Sequence, residues 1–311
     1  MSRSKVLCVG EAMVVLTPAR DVPLAEADLF VRTVGGAELN VALTLARLDV
    51  DVSWLSRLGD DGFGEHVLAL ADGVGVDVGA VELDPDRPTG LYVKAPGVAA
   101  DGSRRSRMHY YRSGSAASAL SPEFLDRPAA RAALAEADTV HVSGITPGLS
   151  DSAAAFCAAL ADRVRGSATT LSVDLNHRPA LWRGRSEEPL RRLAAAADEV
   201  LLGADEARVV FGTDDPAALR TALPGARRIL LKQEEHGVLV LEPGNPDRHV
   251  PALTVDVVEP VGAGDAFAAG YLAGRAHGFA VDAAVGFGHR CAAAALVTRG
   301  DRPAEVPALT G

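Results

Sequence analysis

The sequence predicts an α/β fold in which a mainly parallel sheet is covered by helices on both faces. Short strands rich in Val, Ile and Leu alternate with helical segments along most of the 311 residues, and parallel strands need such crossover helices between them. Two strand-like stretches, approximately residues 13–34 and 78–112, interrupt this alternation and predict a small second sheet. No linker-like segment divides the chain, so we expect one domain over residues 1–311.

The spacing of apolar residues assigns the elements in turn. Apolar residues at helical spacing predict helices over residues 36–48 and 62–74. Short runs of β-branched residues or Leu predict the strands of the main sheet. These runs are residues 5–9, 52–56, 140–143, 170–174, 200–202 and 229–232. In the interrupting stretches, sequences such as GLYVKAP and RMHYYR carry little helical periodicity and favour strands and turns.

Composition and charge exclude several classes of protein. Hydrophobic residues make up 48% of the chain and charged residues 23%, which is typical of a globular protein rather than a disordered one. The net charge is −10, so the chain has no overall attraction for nucleic acid or for anionic membranes. An anionic ligand would therefore need local compensation from Arg, Lys, Mg²⁺ or backbone amides.

The three cysteines and the apolar runs indicate a cytoplasmic protein. Cys8, Cys157 and Cys291 lie far apart in apolar stretches and form no CxxC or Cys/His cluster, so we expect buried, reduced thiols. The N-terminus reaches Glu11 before the apolar region of a signal peptide could be completed. The longest apolar runs fall short of the roughly 18 residues needed to cross a bilayer.

A glycine turn at the start of a C-terminal helix is the most informative feature. Residues 261–270 read VGAGDAFAAG, so that Gly262 and Gly264 allow a tight turn directly before an Ala-rich helix. Backbone amides and the positive end of the helix dipole make such a turn an anion-binding site. Asp265, in the first turn of that helix, is either a common capping carboxylate or a general base beside a phosphate.

This turn and a second segment together resemble the signatures of the ribokinase-like (PfkB) carbohydrate kinases. The second segment is VGGAELNVA, residues 34–42. The glycine spacing does not match the dinucleotide pattern GxGxxG, and GxxxxGK[ST] does not occur. The resemblance covers essentially the whole chain. It implies a ribokinase-like three-layer α/β/α fold with a small β-sheet lid, and transfer of the γ-phosphate of ATP to a small hydroxylated substrate with Mg²⁺. A lid would exclude water from that transfer.

The resemblance also implies roles for individual residues. Asp265 would be the catalytic base, also in contact with the substrate, and the amides of Gly262, Ala263 and Gly264 would stabilise the transferred phosphoryl group. Gly35 and Gly36 would let the chain approach the sugar closely, and Asn40 would contact a hydroxyl group. Without the resemblance, the second segment would be an ordinary glycine turn before a helix.

The predicted metal and nucleotide residues depart from the family pattern. Glu206 falls where the family has an Asn-x-x-Glu motif that organises Mg²⁺ through water, but Gly203 occupies the Asn position. Asp205 is a weaker substitute, and a solvated acidic helix start is the ordinary alternative. Lys232 and Gly237 would lie near the nucleotide. Glu234 stands where the family usually has a glycine, so we expect its side chain to turn to solvent.

Two further segments resemble those of 2-keto-3-deoxygluconate kinases. They are YYRSGSAAS, residues 110–118, and DLNHRPALW, residues 174–182. Each carries an arginine, Arg112 or Arg178, and a guanidinium group can hold the carboxylate of a sugar acid by two parallel hydrogen bonds. The resemblance therefore implies formation of 2-keto-3-deoxy-6-phosphogluconate. Tyr92 and Tyr110 join the predicted substrate contacts.

Each of these assignments has an alternative. Arg112 could be a solvated surface cation among Arg104, Arg105 and Arg107, and Arg178 could pair with Asp174. Tyr92 could pack within the lid instead of facing substrate. Fructokinase, ribokinase, nucleoside kinase and 5-dehydro-2-deoxygluconate kinase activities remain open, as does a non-catalytic sugar-binding regulator. A dehydrogenase is disfavoured because the first strand lacks GxGxxG. A free lid edge favours a homodimer formed through the lids.

Overall fold

The computed structural model describes residues 4–95, 97, 107–298, 300 and 302–309. Its strands are β1 (Lys5–Val9), β2 (Met13–Pro18), β3 (Phe30–Gly35), β4 (Asp51–Gly59), β5 (Asp77–Asp84), β6 (Gly90–Ala95), β7 (Arg107–Tyr111), β8 (Thr139–Ser143), β9 (Thr170–Asp174), β10 (Glu199–Gly203), β11 (Arg228–Lys232), β12 (Val238–Leu241) and β13 (Arg248–Val250).

The α-helices alternate with these strands. They are α1 (Ala37–Arg47), α2 (Gly62–Val74), α3 (Pro128–Glu136), α4 (Ile145–Gly148), α5 (Asp151–Val164), α6 (Pro179–Trp182), α7 (Glu188–Ala196), α8 (Ala204–Phe211), α9 (Pro216–Ala222), α10 (Ala263–Ala276) and α11 (Val281–Leu296). Every helix and strand of the main alternation that the sequence predicted is confirmed. The bounds differ by one residue at most, except that β4 runs three residues beyond the predicted end at residue 56. None of the helices within the described residues is both long and apolar enough to cross a membrane.

The large sheet has nine strands in the order β13-β12-β11-β10-β9-β8-β1-β4-β5. Its pairs from β11 through β5 are parallel, and β12 and β13 are added antiparallel at one edge. Alternate residues of β1 enter different cores: Leu7 and Val9 pack with α3, α5 and α7, whereas Val6 and Cys8 pack with α1, α10 and α11. Burial on both faces explains why these strands are continuously apolar. The predicted three-layer α/β/α fold is confirmed.

The small sheet has four strands in the order β3-β2-β6-β7. The pair β2 and β6 is parallel and the outer pairs are antiparallel. Met13, Val15 and Tyr92 form its own apolar cluster, with Met108 packed against them. This sheet is the predicted lid. Residues 77–84, however, form β5 at the edge of the large sheet, so the second inserted segment begins later than the predicted residue 78. Residues 96 and 98–106 lie outside the described residues.

Local capping fixes where the helices begin. The Asp61 carboxylate accepts hydrogen bonds from Phe63 N and Gly64 N at the start of α2, and the Ser150 hydroxyl accepts one from Ala153 N at the start of α5. Such caps satisfy amides that have no partner within the helix. The three cysteines are buried and free, as the sequence predicted.

Candidate active site

The carboxyl ends of several parallel strands meet the amino end of α10 at one edge of the large sheet. Asp174 ends β9, Gly203 ends β10 and Lys232 ends β11. Asn176, just after β9, donates a hydrogen bond to Asp265 in the first turn of α10. Open α/β sheets bind their ligands at this edge, so it is the candidate active site.

Asp265 is held by amide side chains from two different elements. Asn40 of α1 donates from Nδ2 to Oδ2 of Asp265 at 2.9 Å, and Asn176 donates from Nδ2 to Oδ1 at 3.4 Å. The N-cap residue of α10 is Gly262, which has no side chain to cap the helix. The alternative that Asp265 is an ordinary capping carboxylate is therefore wrong, because its oxygens accept hydrogen bonds from neighbouring elements.

The surroundings of Asp265 favour its protonated form. Burial raises the pKa of its carboxyl group to about 7; the hydrogen bond from Asn40 acts against that shift, and the nearby Asp174 carboxylate adds to it. The positive charge of Arg178 lowers this pKa, so the guanidinium group lies within electrostatic reach. The Asp265 side chain keeps partial contact with solvent. An accessible carboxyl group that exchanges its proton near pH 7 can act as a general base.

The turn before Asp265 borders an open space. Gly262 has φ 81°, in the left-handed region that favours glycine. Gly264 is exposed, and a Cβ atom placed there would have the Nζ of Lys232 as its nearest neighbour, at 4.0 Å. Helix α10 runs for 14 residues from Ala263, so the positive end of its dipole lies at this turn. Amides, helix dipole and ammonium group together suit an anion.

Lys232 is a stable cation beside this space. Its Nζ lies 3.0 Å from Oδ1 and 3.1 Å from Oδ2 of Asp174. Burial lowers the pKa of Lys232, but the carboxylates of Asp174 and Glu206 outweigh burial and bring that pKa above its ordinary value. His141 of β8 is buried near the pair, and burial lowers its pKa to about 4, so its imidazole is neutral at pH 7.

The glycines of the second motif make close contacts under the lid. Gly36 has φ 137°, and a Cβ atom there would collide with the backbone carbonyl of Glu11. A Cβ atom at Gly35 would lie 2.6 Å from the Tyr92 hydroxyl oxygen. In the structure, Gly35 and Gly36 thus allow the chain to approach other protein atoms at the base of the lid. Asn40, four residues further along α1, is buried against Asp265.

Arg112 is not a solvated surface cation. Its guanidinium group forms an ion pair with the buried carboxylate of Glu11, and only 12% of its side chain is exposed. Burial raises the pKa of Glu11, and Arg112 acts against that shift. Tyr92 is buried, with its ring 5.3 Å from the half-exposed ring of Tyr110, so Tyr92 packs within the lid. The substrate roles of Tyr92, Tyr110 and Arg112 stay predictions.

Arg178 is exposed at the amino end of α6. Its side chain forms no ion pair or hydrogen bond with any residue that the structure describes. The alternative of a pair with Asp174 is wrong, because that carboxylate binds Lys232. The site therefore contains a guanidinium group that is near Asp265 and available to a ligand.

Glu206 caps a helix in this structure. Its Oε2 accepts a hydrogen bond from Gly203 N at 2.7 Å, and its Oε1 accepts one from His177 N at 2.9 Å. Asp205 is exposed. No group of three or more His, Cys, Asp or Glu residues suited to a metal ion occurs among the described residues. The metal role of Glu206 stays a prediction.

The loop after β11 has a strained residue at the position expected to be glycine. Glu234 is exposed, as predicted, and its φ of 49° lies in the left-handed region. Gly237 has φ 114°, and a Cβ atom there would collide with the carbonyl oxygen of Val250. Gly237 therefore permits close packing against the chain after β13, and its nucleotide contact stays a prediction.

Sequence reasoning missed three polar residues of the site. Two of them are Glu11, which pairs with Arg112, and Asn176, which donates to Asp265. Glu38 is fully buried on α1, and its Oε1 accepts hydrogen bonds from Ser143 N, Ser143 Oγ and Thr146 Oγ1 at 2.8–2.9 Å. The available signal was a carboxylate among the mostly apolar core-facing positions of α1.

The comparisons with known proteins agree with this geometry. The profile of the pfkB family of carbohydrate kinases matches residues 3–308. The chain belongs to the PfkB family of carbohydrate kinases. It is 34% identical over 309 residues to a 2-dehydro-3-deoxygluconokinase of Thermoproteus tenax, covering 96% of this chain and 90% of that one. The corresponding enzyme of Bacillus subtilis is 32% identical over 298 residues, covering 94% and 89%.

A crystal structure of a PfkB protein from Polaromonas sp. JS666 has the same fold. The two superpose with a TM-score of 0.83 at 32% sequence identity, covering 94% of this chain and 96% of that one. The family assignment predicted from the two glycine motifs is therefore confirmed, and the protein is a carbohydrate kinase. The non-catalytic regulator and the dehydrogenase are set aside.

Proposed function

We propose that this PfkB kinase transfers the γ-phosphate of ATP to the 6-hydroxyl of 2-keto-3-deoxygluconate. The choice of substrate is supported by the position of Arg178. Its guanidinium group is exposed, has no partner among the described residues, and lies close enough to Asp265 to shift the pKa of that residue. A sugar acid supplies the carboxylate that such a group binds with two parallel hydrogen bonds, whereas a neutral sugar does not. The substrate named for the Thermoproteus and Bacillus relatives supports the same choice.

Asp265 and the glycine turn divide the chemical step between them. With the substrate carboxylate held by Arg178, Asp265 removes the proton of the attacking hydroxyl group. The hydroxyl oxygen bonds to the γ-phosphorus, the bond from phosphorus to the β,γ-bridging oxygen breaks, and ADP leaves with that oxygen. The amides of residues 262–264 and the ammonium group of Lys232 stabilise the negative charge on the transferred group.

Mg²⁺ would be held indirectly. Both oxygens of Glu206 accept a backbone N–H group, but each carboxylate oxygen has a second lone pair, so Glu206 suits a water-mediated contact better than direct ligation. The ion supplies positive charge that offsets the phosphates of ATP. Asn40 and Asn176 keep the Asp265 carboxylate turned toward the acceptor hydroxyl, and the small sheet excludes water from the site.

The nucleotide base would lie beside the glycine turn. Val258 and Val297 are exposed apolar residues. Val258 N donates to the carbonyl of Leu296 at 2.8 Å, so the two residues lie close together at the end of α11. An exposed apolar surface of this kind suits a purine ring. The buried, free thiols agree with the reducing cytosol as the compartment.

The lid also supports a homodimer. The outer strands β3 and β7 carry exposed apolar side chains: Phe30, Val31, Tyr110 and Tyr111. Exposed edge strands with apolar side chains tend to be covered by a partner. A second copy of the chain, packed lid to lid, would cover them.

The substrate is tested by a panel of acceptors with ATP and by substitutions at Arg178. We expect 2-keto-3-deoxygluconate to be phosphorylated far better than fructose or ribose. Arg178→Lys keeps the charge but loses the planar fork, so kcat/KM for the acid should fall roughly ten- to hundredfold while the weak activity on fructose changes much less. Arg183→Lys, at the other end of α6, is the matched control. Preference for fructose in the wild type, or an unchanged acid-to-fructose ratio in Arg178→Lys, would reject the sugar acid and leave the kinase assignment intact.

A further inference from the structure

One ion pair connects the lid to the segment that leads into the glycine turn. The Nζ of Lys94, on lid strand β6, lies 2.8 Å from Oε2 of Glu259. Only 12% of the Lys94 side chain and 16% of the Glu259 side chain are exposed. Glu259 lies three residues before Gly262 along the chain. The pair therefore joins the small sheet to the segment that leads into the expected phosphate-binding turn.

The segment that Lys94 contacts has little regular structure to fix it. Residues 251–260 form no helix or strand. The amides of Val258 and Glu259 donate to one carbonyl, that of Leu296, at 2.8 and 3.2 Å. A segment without a hydrogen-bond ladder is easily displaced, so an ion pair near its end has a large influence on where the turn lies.

Electrostatics gives the pair a second effect. A carboxylate three residues before a phosphate-binding turn repels the triphosphate of ATP, and this repulsion is strong where water is partly excluded. The ammonium group of Lys94 offsets the charge of Glu259 when the two are paired. Loss of the pair would therefore both release the segment and leave a negative charge beside the nucleotide.

A second ion pair, between Arg112 and Glu11, lies at the base of the small sheet and would respond differently to a rotation of that sheet. Glu11 is the partner of Arg112. It lies beside Gly36 and Gly90, because a Cβ atom placed at either glycine would contact Glu11. These residues lie where the chain enters the small sheet. Lys94 is four residues beyond Gly90, about 13 Å along an extended strand. Rotation of the lid about its base would separate Lys94 from Glu259 and leave the Arg112 pair nearly in place.

We propose that Lys94 and Glu259 are a positioning pair that sets the glycine turn for nucleotide when the lid is closed. This inference rests on the proposed nucleotide role of residues 262–264. Lys94 would contact neither substrate and would act through Glu259.

The test compares charge-neutral and charge-swapped variants. Lys94→Gln and Lys94→Glu should each raise the KM for ATP roughly tenfold, the effect of losing one charge-assisted hydrogen bond, with less than a twofold change in the KM for the sugar. The double variant Lys94→Glu with Glu259→Lys should recover most of the loss. Arg208→Gln, which removes an exposed ion pair with Asp214, is the control and should change neither KM.

Nucleotide binding without turnover separates this proposal from the proposed reaction. The Kd for ADP with Mg²⁺, measured by calorimetry, should rise in Lys94→Gln and recover in the charge swap, and sugar that closes the lid should enlarge the difference. If Lys94→Gln has a Kd for ADP and a KM for ATP within twofold of the wild-type values, the positioning role is overturned, even if the kinase mechanism holds. A charge swap no better than the single variants would also overturn it. If Lys94→Gln unfolds, Lys94→Arg, which keeps the charge, should retain wild-type affinity; weakened binding in that folded variant would reject the proposal.

Discussion

The two ends of the large sheet use polar side chains in opposite ways. At the amino end, Arg228 at the start of β11 forms ion pairs with Glu199 and Glu242 and donates to the Tyr271 hydroxyl at 3.0 Å. Tyr271 in turn donates to Glu199 at 3.0 Å. Arg248 adds a further ion pair to Glu242, at 2.8 Å. Charges of both signs are thus matched within the protein.

At the carboxyl end, buried polar atoms are left over. Within the described residues, Oδ1 of Asn40, Oδ1 of Asn176 and Oε2 of Glu38 are buried without a hydrogen-bond partner. Each such atom costs roughly 1–3 kcal/mol of stability. The amino end thus matches its charges within the protein, whereas the carboxyl end, where we propose that the ligands bind, leaves these polar atoms unpaired.

The largest expected effect comes from Asp265→Asn. The amide keeps the shape of the side chain but cannot take the proton, so kcat should fall by about 10²–10⁴-fold. Folding should persist. Burial raises the pKa of Asp265 to about 7 in the folded protein, above the value of about 4 expected in the unfolded chain. Ionisation of Asp265 therefore opposes folding, and the free energy of unfolding falls as the pH rises from about 4 through 7. A variant without this charge should therefore show an equal or higher Tm at pH 8. Near wild-type kcat would contradict the role of Asp265.

The opposite outcome is expected at the amino end, from Glu199→Ala. Removal of this buried carboxylate leaves Tyr271 and one side of Arg228 without their partner, which should lower the free energy of unfolding by about 1–3 kcal/mol. Urea unfolding measures this loss, and kcat should stay within twofold of the wild type. Glu188→Ala, which breaks an exposed pair with Arg192, is the control and should change stability by less than about 0.5 kcal/mol. A large loss of kcat in Glu199→Ala would show that the two ends are not separate.

The smallest effect is expected from Glu234→Gly. Glu234 has φ 49°, a conformation that glycine adopts without strain. Relief of that strain should raise the free energy of unfolding by about 1 kcal/mol, measured in the same urea experiment. Glu235→Gly, one residue further along, is the matched control and should be neutral or destabilising. A stability loss in Glu234→Gly would show that its side chain has a structural role.

Much of the fold and part of the site followed from local sequence patterns. The strands and helices of the large sheet were predictable because burial on both faces makes each strand an apolar run and each helix periodic. Asp265 and Asn40 were predicted as site residues because each lies in a glycine-marked motif that resembles a signature of the family. The structure adds that the two side chains are hydrogen-bonded to each other.

Long-range pairs were beyond the sequence. Glu11 lies between β1 and β2, and Arg112 follows β7. The two meet only when the small sheet forms, and nothing in the sequence around either residue indicates its partner. The same holds for Lys94 and Glu259. Edge strand β5 was assigned to the lid because an isolated strand-like run does not reveal which sheet it joins. Pairing across such distances depends on tertiary packing, which local periodicity does not encode.

The pH dependence of kcat/KM for the sugar tests the central claim most directly. If Asp265 is the base, only its deprotonated form is active, so kcat/KM at saturating ATP and Mg²⁺ should rise with pH through about 7 and then level off. The residual activity of Asp265→Asn should lack that rise. A wild-type profile that is flat between about pH 5.5 and 9, or an identical rise in Asp265→Asn, would contradict the assignment of Asp265 as the general base.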